Sequence, residues 1–137
     1  MTRKEWKKQA EAHCAAAKAL LEQAQYGVAY HVAGLAIECA LKAKIATAFK
    51  ASTWPTKKFV NDIHTHDLPA LVKQAGLDAS RLKQEGTSPA FRVYWNTVKG
   101  WTVESRYKDW SAAEARDMVE AVSKKSVGVL AWIKRYW

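Results

Sequence analysis

The stretch from Tyr26 to Ile45 is the longest apolar run in the chain, and the polar residues inside it fall at helical spacing. Tyr30, Gly34, Ile37, Leu41 and Ile45 recur every three or four residues and share one helix face, while Ala29, Ala33, Ala36, Ala40 and Ala43 put small side chains on the neighbouring faces. A helix of this kind can be approached closely from several sides, so the rest of the chain is expected to pack around it. On the remaining flank His31, Glu38 and Lys42 lie along one line, because seven and four residues are about two turns and one turn. Two readings follow for Glu38 and Lys42. They form either an exposed i, i+4 pair contributing a few tenths of a kcal/mol, or part of a buried or ligand-facing polar cluster.

The 137 residues fit one domain, spanning 1–137 and able to bury roughly two thirds of its unfolded surface. With 49% apolar and 26% charged residues the composition is globular and not disordered. Seven Trp and five Tyr are many for this length, which points to an exposed aromatic patch that a partner covers. Cys14 and Cys39 sit among alanines and read as small buried hydrophobes of a reduced protein. The formal net charge of +9 favours an acidic partner such as a nucleic acid, a nucleotide or an acidic protein surface. No signal-peptide core follows the charged N-terminus, and Glu38 and Lys42 interrupt the best membrane-span candidate. The expected location is therefore the cytoplasm, with no membrane partner.

Along the chain, Thr2 and Glu5 form a capping box for a first helix reaching about Gln25. Tyr26 and Gly27 mark a turn, and an antiparallel second helix runs from about Val28 to Phe49. Lys50 to Thr65 loses the helical period and reads as a long connection. Asp67 is placed to cap a short helix with Pro69 in its first turn, Leu68, Leu71 and Val72 facing inward and Gly76 just past its end. After a break at Gly86 to Pro89, Ser88 and Pro89 open a helix through Phe91, Tyr94, Trp95 and Val98 that Gly100 ends. Trp101 to Trp110 forms a turn containing Glu104, Ser105, Arg106 and Tyr107. Ser111 and Glu114 then cap a last helix striped by Ala115, Met118, Val122, Val129, Ile133 and Tyr136. No segment alternates as a strand. The fold class is all-α, an up-and-down bundle of four to five helices.

His64, His66 and Asp67 lie within four residues, but their spacing is not that of a helical zinc motif and Asp67 is needed as a cap, so no metal is assigned. A glycine-rich phosphate loop, a nucleophile elbow and a paired-carboxylate arrangement are all missing from the sequence. No cofactor is called for.

Three pieces in order resemble the HEPN domain family: Ala36-Ile37-Glu38-Cys39-Ala40-Leu41-Lys42-Ala43, then His66-Asp67-Leu68, then Ser105-Arg106-Tyr107. The resemblance covers about Ala15 to Trp132. It implies a helical bundle, usually a homodimer, that binds nucleotides or RNA and often accompanies a small nucleotidyltransferase. Many relatives are metal-independent RNases that use an arginine followed four to six residues later by a histidine. Here Arg106 is followed by Tyr107 to Ala113 with no histidine, so no catalytic residue is assigned. Glu38, Lys42, His66, Arg106 and Tyr107 are the candidate ligand-binding residues or polar brace, with Glu38 expected to accept from Arg106 or Tyr107. Trp54, Trp95, Trp101 and Trp110 are candidates for stacking or a dimer interface, and core packing suits Trp95 best. The expected function is a nucleotide- or RNA-binding module. An RNA-cleaving toxin or defence effector with a degenerate site, and a protein-interaction scaffold without a nucleic-acid ligand, are the alternatives.

Overall fold

The structure, a computed structural model, describes residues 1–48 and 56–137, with the backbone alone at 59, 62 and 63. All described elements are helical: α1 (Arg3–Glu22), α2 (Tyr26–Ala46), α3 (Lys57–Ile63), α4 (Leu68–Gln74), α5 (Asp78–Thr87), α6 (Pro89–Val98), a 3-10 turn (Val103–Tyr107), α7 (Ala112–Ser123) and α8 (Val129–Lys134). They form an all-α, up-and-down bundle. The expected end of the second helix at Phe49, the start of the connection at Lys50 to Pro55 and the stacking role of Trp54 lie outside the described residues.

The α1 and α2 helices pair antiparallel, since Trp6 meets Lys42 while His13 meets Cys39. Both halves of the Thr2 and Glu5 capping box form at the start of α1. Between the helices Ala24 takes a positive φ of 59° and the Gln25 amide donates back to the Leu20 carbonyl at 2.9 Å, so the chain turns in Gln23 to Gln25. For that reason α2 begins at Tyr26, and Gly27 lies in its first turn instead of making the bend.

Burial explains why α2 is the centre. Ala29, Ala33, Ala36, Ile37, Ala40, Leu41 and Ala43 are all fully inaccessible, and the helix touches α1, α4, α7, α8 and the 3-10 turn. Its alanines let neighbouring backbones come close, while Ile37 and Leu41 each contribute about 1.5–3 kcal/mol by burial. Around it Leu68, Leu71, Val72, Phe91, Trp95, Val98, Met118, Val122, Trp132 and Ile133 join one contiguous apolar cluster.

Three departures from the sequence pattern have local causes. Lys57–Ile63, within the expected connection, is helical. Asp78–Thr87 is also helical and carries Gly86 inside it, with no buried residue, so no apolar stripe announces it. The last helix breaks between Ser123 and Val129, where Ser126 adopts φ 67° and the Gly128 amide donates to the Lys124 carbonyl at 3.0 Å. A Cβ on Gly128 would sit 2.4 Å from that carbonyl oxygen, so the tight turn requires glycine. Redirected in this way, α8 buries Val129, Leu130, Trp132 and Ile133 together.

The same steric logic fixes Gly34. A Cβ there would lie 2.2 Å from the indole of Trp101, which is itself buried, whereas a Cβ on Gly86 meets nothing within 4 Å. Gly34→Ala is expected to cost about 1–3 kcal/mol through overpacking, read as a lower urea midpoint. Gly86→Ala should leave that midpoint unchanged or raise it by up to about 1 kcal/mol, because it restricts the unfolded chain inside a helix that tolerates alanine. Equal behaviour of the two variants would remove the packing argument.

Candidate functional site

The site grows from a carboxylate placed inside the central helix. Glu38 is 6% exposed, and a charge so buried persists only if both oxygens are satisfied. Lys42, one turn later on the same helix, brings its ammonium to 3.4 Å from Oε2. The other oxygen, Oε1, takes the imidazole Nδ1 of His66 at 2.6 Å. His66 is held there by local chemistry. The Asp67 carboxylate accepts from the Ala70 amide at 3.2 Å and caps α4, and the Asp67 amide donates to the Thr65 hydroxyl at 3.1 Å. With a carboxylate as its partner, Nδ1 is the donor, and Nε2 of the half-exposed ring makes no hydrogen bond to the described residues. Lys42 completes the cluster by lying 5.4 Å from the ring centre of Trp6 on α1.

Beside His66 runs an open groove of about 520 Å³, lined by the start of α4 on one side and by Lys99, Trp101 and Thr102 to Glu104 on the other. The far wall is pinned from beneath. Trp101 donates its indole N–H to the His31 carbonyl at 3.1 Å, and the His31 ring stacks on it at 5.6 Å. His31 Nδ1 meets the buried Ser105 hydroxyl at 3.2 Å, and the Ser105 carbonyl accepts from the Trp110 indole at 2.8 Å. Trp110 in turn stacks on Tyr30, 3.6 Å between ring centres and 9° from parallel. The 3-10 turn is thus anchored at each end, and it presents Arg106 and Tyr107 outward. The guanidinium of Arg106 lies 4.7 Å from the Tyr107 ring centre, and Tyr107 is 75% exposed.

Electrostatics ties the two groups of residues together through His31. Burial lowers the pKa of its imidazole, the Arg106 charge lowers it further, and the Glu38 carboxylate works in the opposite direction. His31 therefore senses both the buried carboxylate and the exposed guanidinium. Burial pushes the Cys39 thiol up to about 11, with the neighbouring Glu38 carboxylate adding to the effect, so this sulfur is no nucleophile at neutral pH.

Of the five residues expected from sequence, Glu38, Lys42 and His66 come together as one cluster, and Arg106 and Tyr107 form a second pair. The expected acceptance by Glu38 from Arg106 or Tyr107 gives way to His66. Once Lys42 and His66 occupy one oxygen each, the carboxylate is satisfied, and Arg106 extends over its neighbour's ring instead. Trp101 and Trp110 are not free stacking surfaces, since the first is buried and the second is spent on Tyr30; Trp95 is core, as its helical spacing implies. Sequence reasoning missed Ser105 as a structural pin and Gly34 as the slot for Trp101. A glycine in mid-helix on the inward face was the available signal. Among the described residues no three His, Cys, Asp or Glu side chains converge in a way that would hold a metal ion. No described helix is long and apolar enough to cross a membrane.

Compared with protein-family models, the chain matches the HEPN domain over residues 3–136. Neither the curated proteins nor the solved structures yield a match.

Two measurements check the electrostatics. Glu38→Ala leaves the His66 and Lys42 donors without their acceptor and is expected to lower stability by about 1–3 kcal/mol in urea denaturation; an unchanged midpoint would show that the carboxylate does not fasten α4 to α2. For His31 the folded state disfavours the proton. Its contribution is complete above the ordinary histidine pKa of about 6.5 and is lost as pH falls from there through the lowered folded value. The fall in stability on acidification in that window should be shallower in His31→Gln than in the unaltered protein. An identical slope in both would refute the assignment.

Proposed function

Because the chain belongs to the HEPN domain family, we propose that it is a nucleotide- or RNA-binding module that holds its ligand along the groove between His66 and the 3-10 turn without cleaving it. The observation that carries this reading is the exposed Tyr107 ring with the Arg106 guanidinium over it, displayed from a turn anchored by Ser105 and Trp110. An aromatic face with a delocalised cation beside it suits a base and its phosphate. Lys99 and His66 line the adjoining groove, and the net charge of +9 draws polyanions to the surface. The Glu38, Lys42 and His66 cluster then acts as both brace and contact: it holds the start of α4, and it leaves His66 Nε2 for the ligand.

We propose further that the chain, one domain over residues 1–137, works in the cytoplasm as a homodimer with a small nucleotidyltransferase as protein partner; the aromatic excess and the resemblance support the dimer, and the resemblance alone the partner. Light scattering at micromolar concentration is expected to return twice the chain mass. A monomer there would remove the dimer but not the groove.

The alternative of RNA cleavage has one specific observation in its favour. His31, not a histidine after Arg106, is the imidazole that feels the Arg106 charge, and its pKa, lowered by burial and then by that charge, favours the neutral form that a general base must start from. Against it stands the engagement of its Nδ1 with Ser105 and of its ring with Trp101.

A labelled short single-stranded RNA separates the readings. Fluorescence anisotropy should show binding that weakens steeply between about 50 and 200 mM salt. Arg106→Ala and Tyr107→Ala should each weaken it by about tenfold through lost base stacking and phosphate contact. The RNA should be recovered intact. Cleavage that disappears in both Arg106→Ala and His31→Ala would replace binding by catalysis. Binding absent or indifferent to salt would favour the interaction scaffold.

A further inference from the structure

A second groove, of about 430 Å³, lies between α5 and α8 and shares no residue with the first; Ala79, Ser80, Lys83, Gln84, Thr87, Arg135 and Tyr136 line it. Its hydrogen bonds occupy the Ser80, Tyr136 and Gln84 oxygens as acceptors and leave several donors over. Ser80 accepts from the Trp132 indole N–H at 3.0 Å and donates its own hydroxyl to the Tyr136 oxygen at 2.7 Å. The phenol of Tyr136 has thus received a hydrogen bond and keeps its O–H to give. Its ring is held edge-on against the buried Trp132 at 6.4 Å, which fixes where that O–H stands.

Arg135 follows the same logic. One terminal nitrogen donates to Gln84 Oε1 at 3.3 Å and the other to the Ser126 carbonyl at 3.0 Å, so the guanidinium plane is set while its remaining N–H groups are unspent. A guanidinium only donates, so Gln84 must turn its oxygen to Arg135 and keep its NH2 for another partner. Thr87 directs its hydroxyl at the Lys83 and Gln84 carbonyls, at 3.2 and 3.4 Å. Among the described residues Lys83 makes no ion pair. No carboxylate lines the groove; of the acids flanking it in sequence, Glu85 is engaged by Arg81 and Asp78 stands at the exposed start of α5. One fixed cation, Arg135, one unpaired cation, Lys83, a phenol O–H and an amide NH2 around a groove that no carboxylate lines form a receptor for an anion with several acceptor oxygens.

We propose that this groove is a phosphate-binding site, with Arg135 and Tyr136 as fixed donors and Lys83 as the mobile charge. Arginine pairs its N–H groups with the oxygens of a phosphate, and Lys83, Tyr136 and Gln84 beside it offer further donors that a phosphate, with more oxygens than a carboxylate, can use. The phosphate comes either from an RNA backbone or from a small phosphorylated compound. The site stands apart from the Arg106 and Tyr107 face, and either assignment can fail without the other.

The indole N–H of Trp132 reaches the groove through Ser80, so its cross-peak in a nitrogen-15 NMR spectrum is a resident reporter. Titration of the full chain with inorganic phosphate, and separately with a short single-stranded RNA, is expected to shift that peak and the amides of α5 to saturation. Lys83→Glu and Arg135→Gln should each weaken the effect roughly tenfold or more, as expected for a lost charge-assisted hydrogen bond. Tyr136→Phe should weaken it less while preserving the fold. Shifts with RNA, with or without inorganic phosphate, assign the site to a polynucleotide backbone, and shifts with phosphate alone assign it to a small phosphorylated compound. If Arg135→Gln loses the native spectrum along with its bond to Ser126, the exposed Lys83→Glu decides. No shift in either titration, or shifts that persist at full strength in Lys83→Glu, overturns the proposal.

Discussion

The seat of the Trp101 indole against Gly34 is the contact on which the functional face depends. A helix as completely enclosed as α2 gives its neighbours only the space its own side chains leave, and Gly34 leaves enough for one indole ring. Once seated, Trp101 satisfies its N–H on the His31 carbonyl and supplies the surface on which the His31 ring lies. The position of His31 then dictates where Ser105 must sit, and Ser105 dictates the 3-10 turn. Arg106 and Tyr107 reach solvent in a fixed place because Trp101, just ahead of the turn that carries them, is locked into the core.

The second constraint is electrostatic. A carboxylate inside an apolar helix is tolerated when each oxygen has a partner, and replacing either partner by nothing costs more than the pair contributes in net terms. Glu38 therefore does less to strengthen the bundle than to specify it: only an arrangement that brings the turn before α4 onto α2 satisfies Oε1. This explains how a helix as short as Leu68–Gln74, too short to be stable alone, holds one wall of the groove.

Periodicity made the architecture legible, and its failures have physical causes. The two long helices, both capping boxes, the Asp67 cap and the Ser88 cap follow from side-chain chemistry local to the sequence and appear as expected. The α5 helix carries no buried stripe, so nothing in its pattern separates it from a loop. The break before α8 depends on Ser126 at positive φ and on a close backbone approach at Gly128, neither of which a stripe of apolar residues records. At the site, the cluster of Glu38 and Lys42 was legible because i and i+4 share a helix face. Its third member was legible only as a candidate, since the meeting of His66 with Glu38 joins elements twenty-eight positions apart. Arg106 was misassigned to Glu38 for the same reason: sequence order says that both residues matter to one bundle, but not which of two donors reaches the acceptor first.

That choice of donor bears on chemistry. Had Arg106 been spent on Glu38, the guanidinium would be buried and neutralised, and the 3-10 turn would present only an aromatic ring. Because His66 takes Oε1, Arg106 stays exposed with its charge uncompensated beside Tyr107. Burial, and after it the same charge, disfavour protonation of His31, so the imidazole beside the turn is biased to its neutral form while the turn itself carries a cation. Cleavage at a ribose would require that imidazole to move a proton freely, yet Nδ1 is engaged by Ser105 and the ring by Trp101. An imidazole engaged in this way, at Nδ1 by a hydroxyl and across its ring by an indole, is poorly placed to shuttle protons.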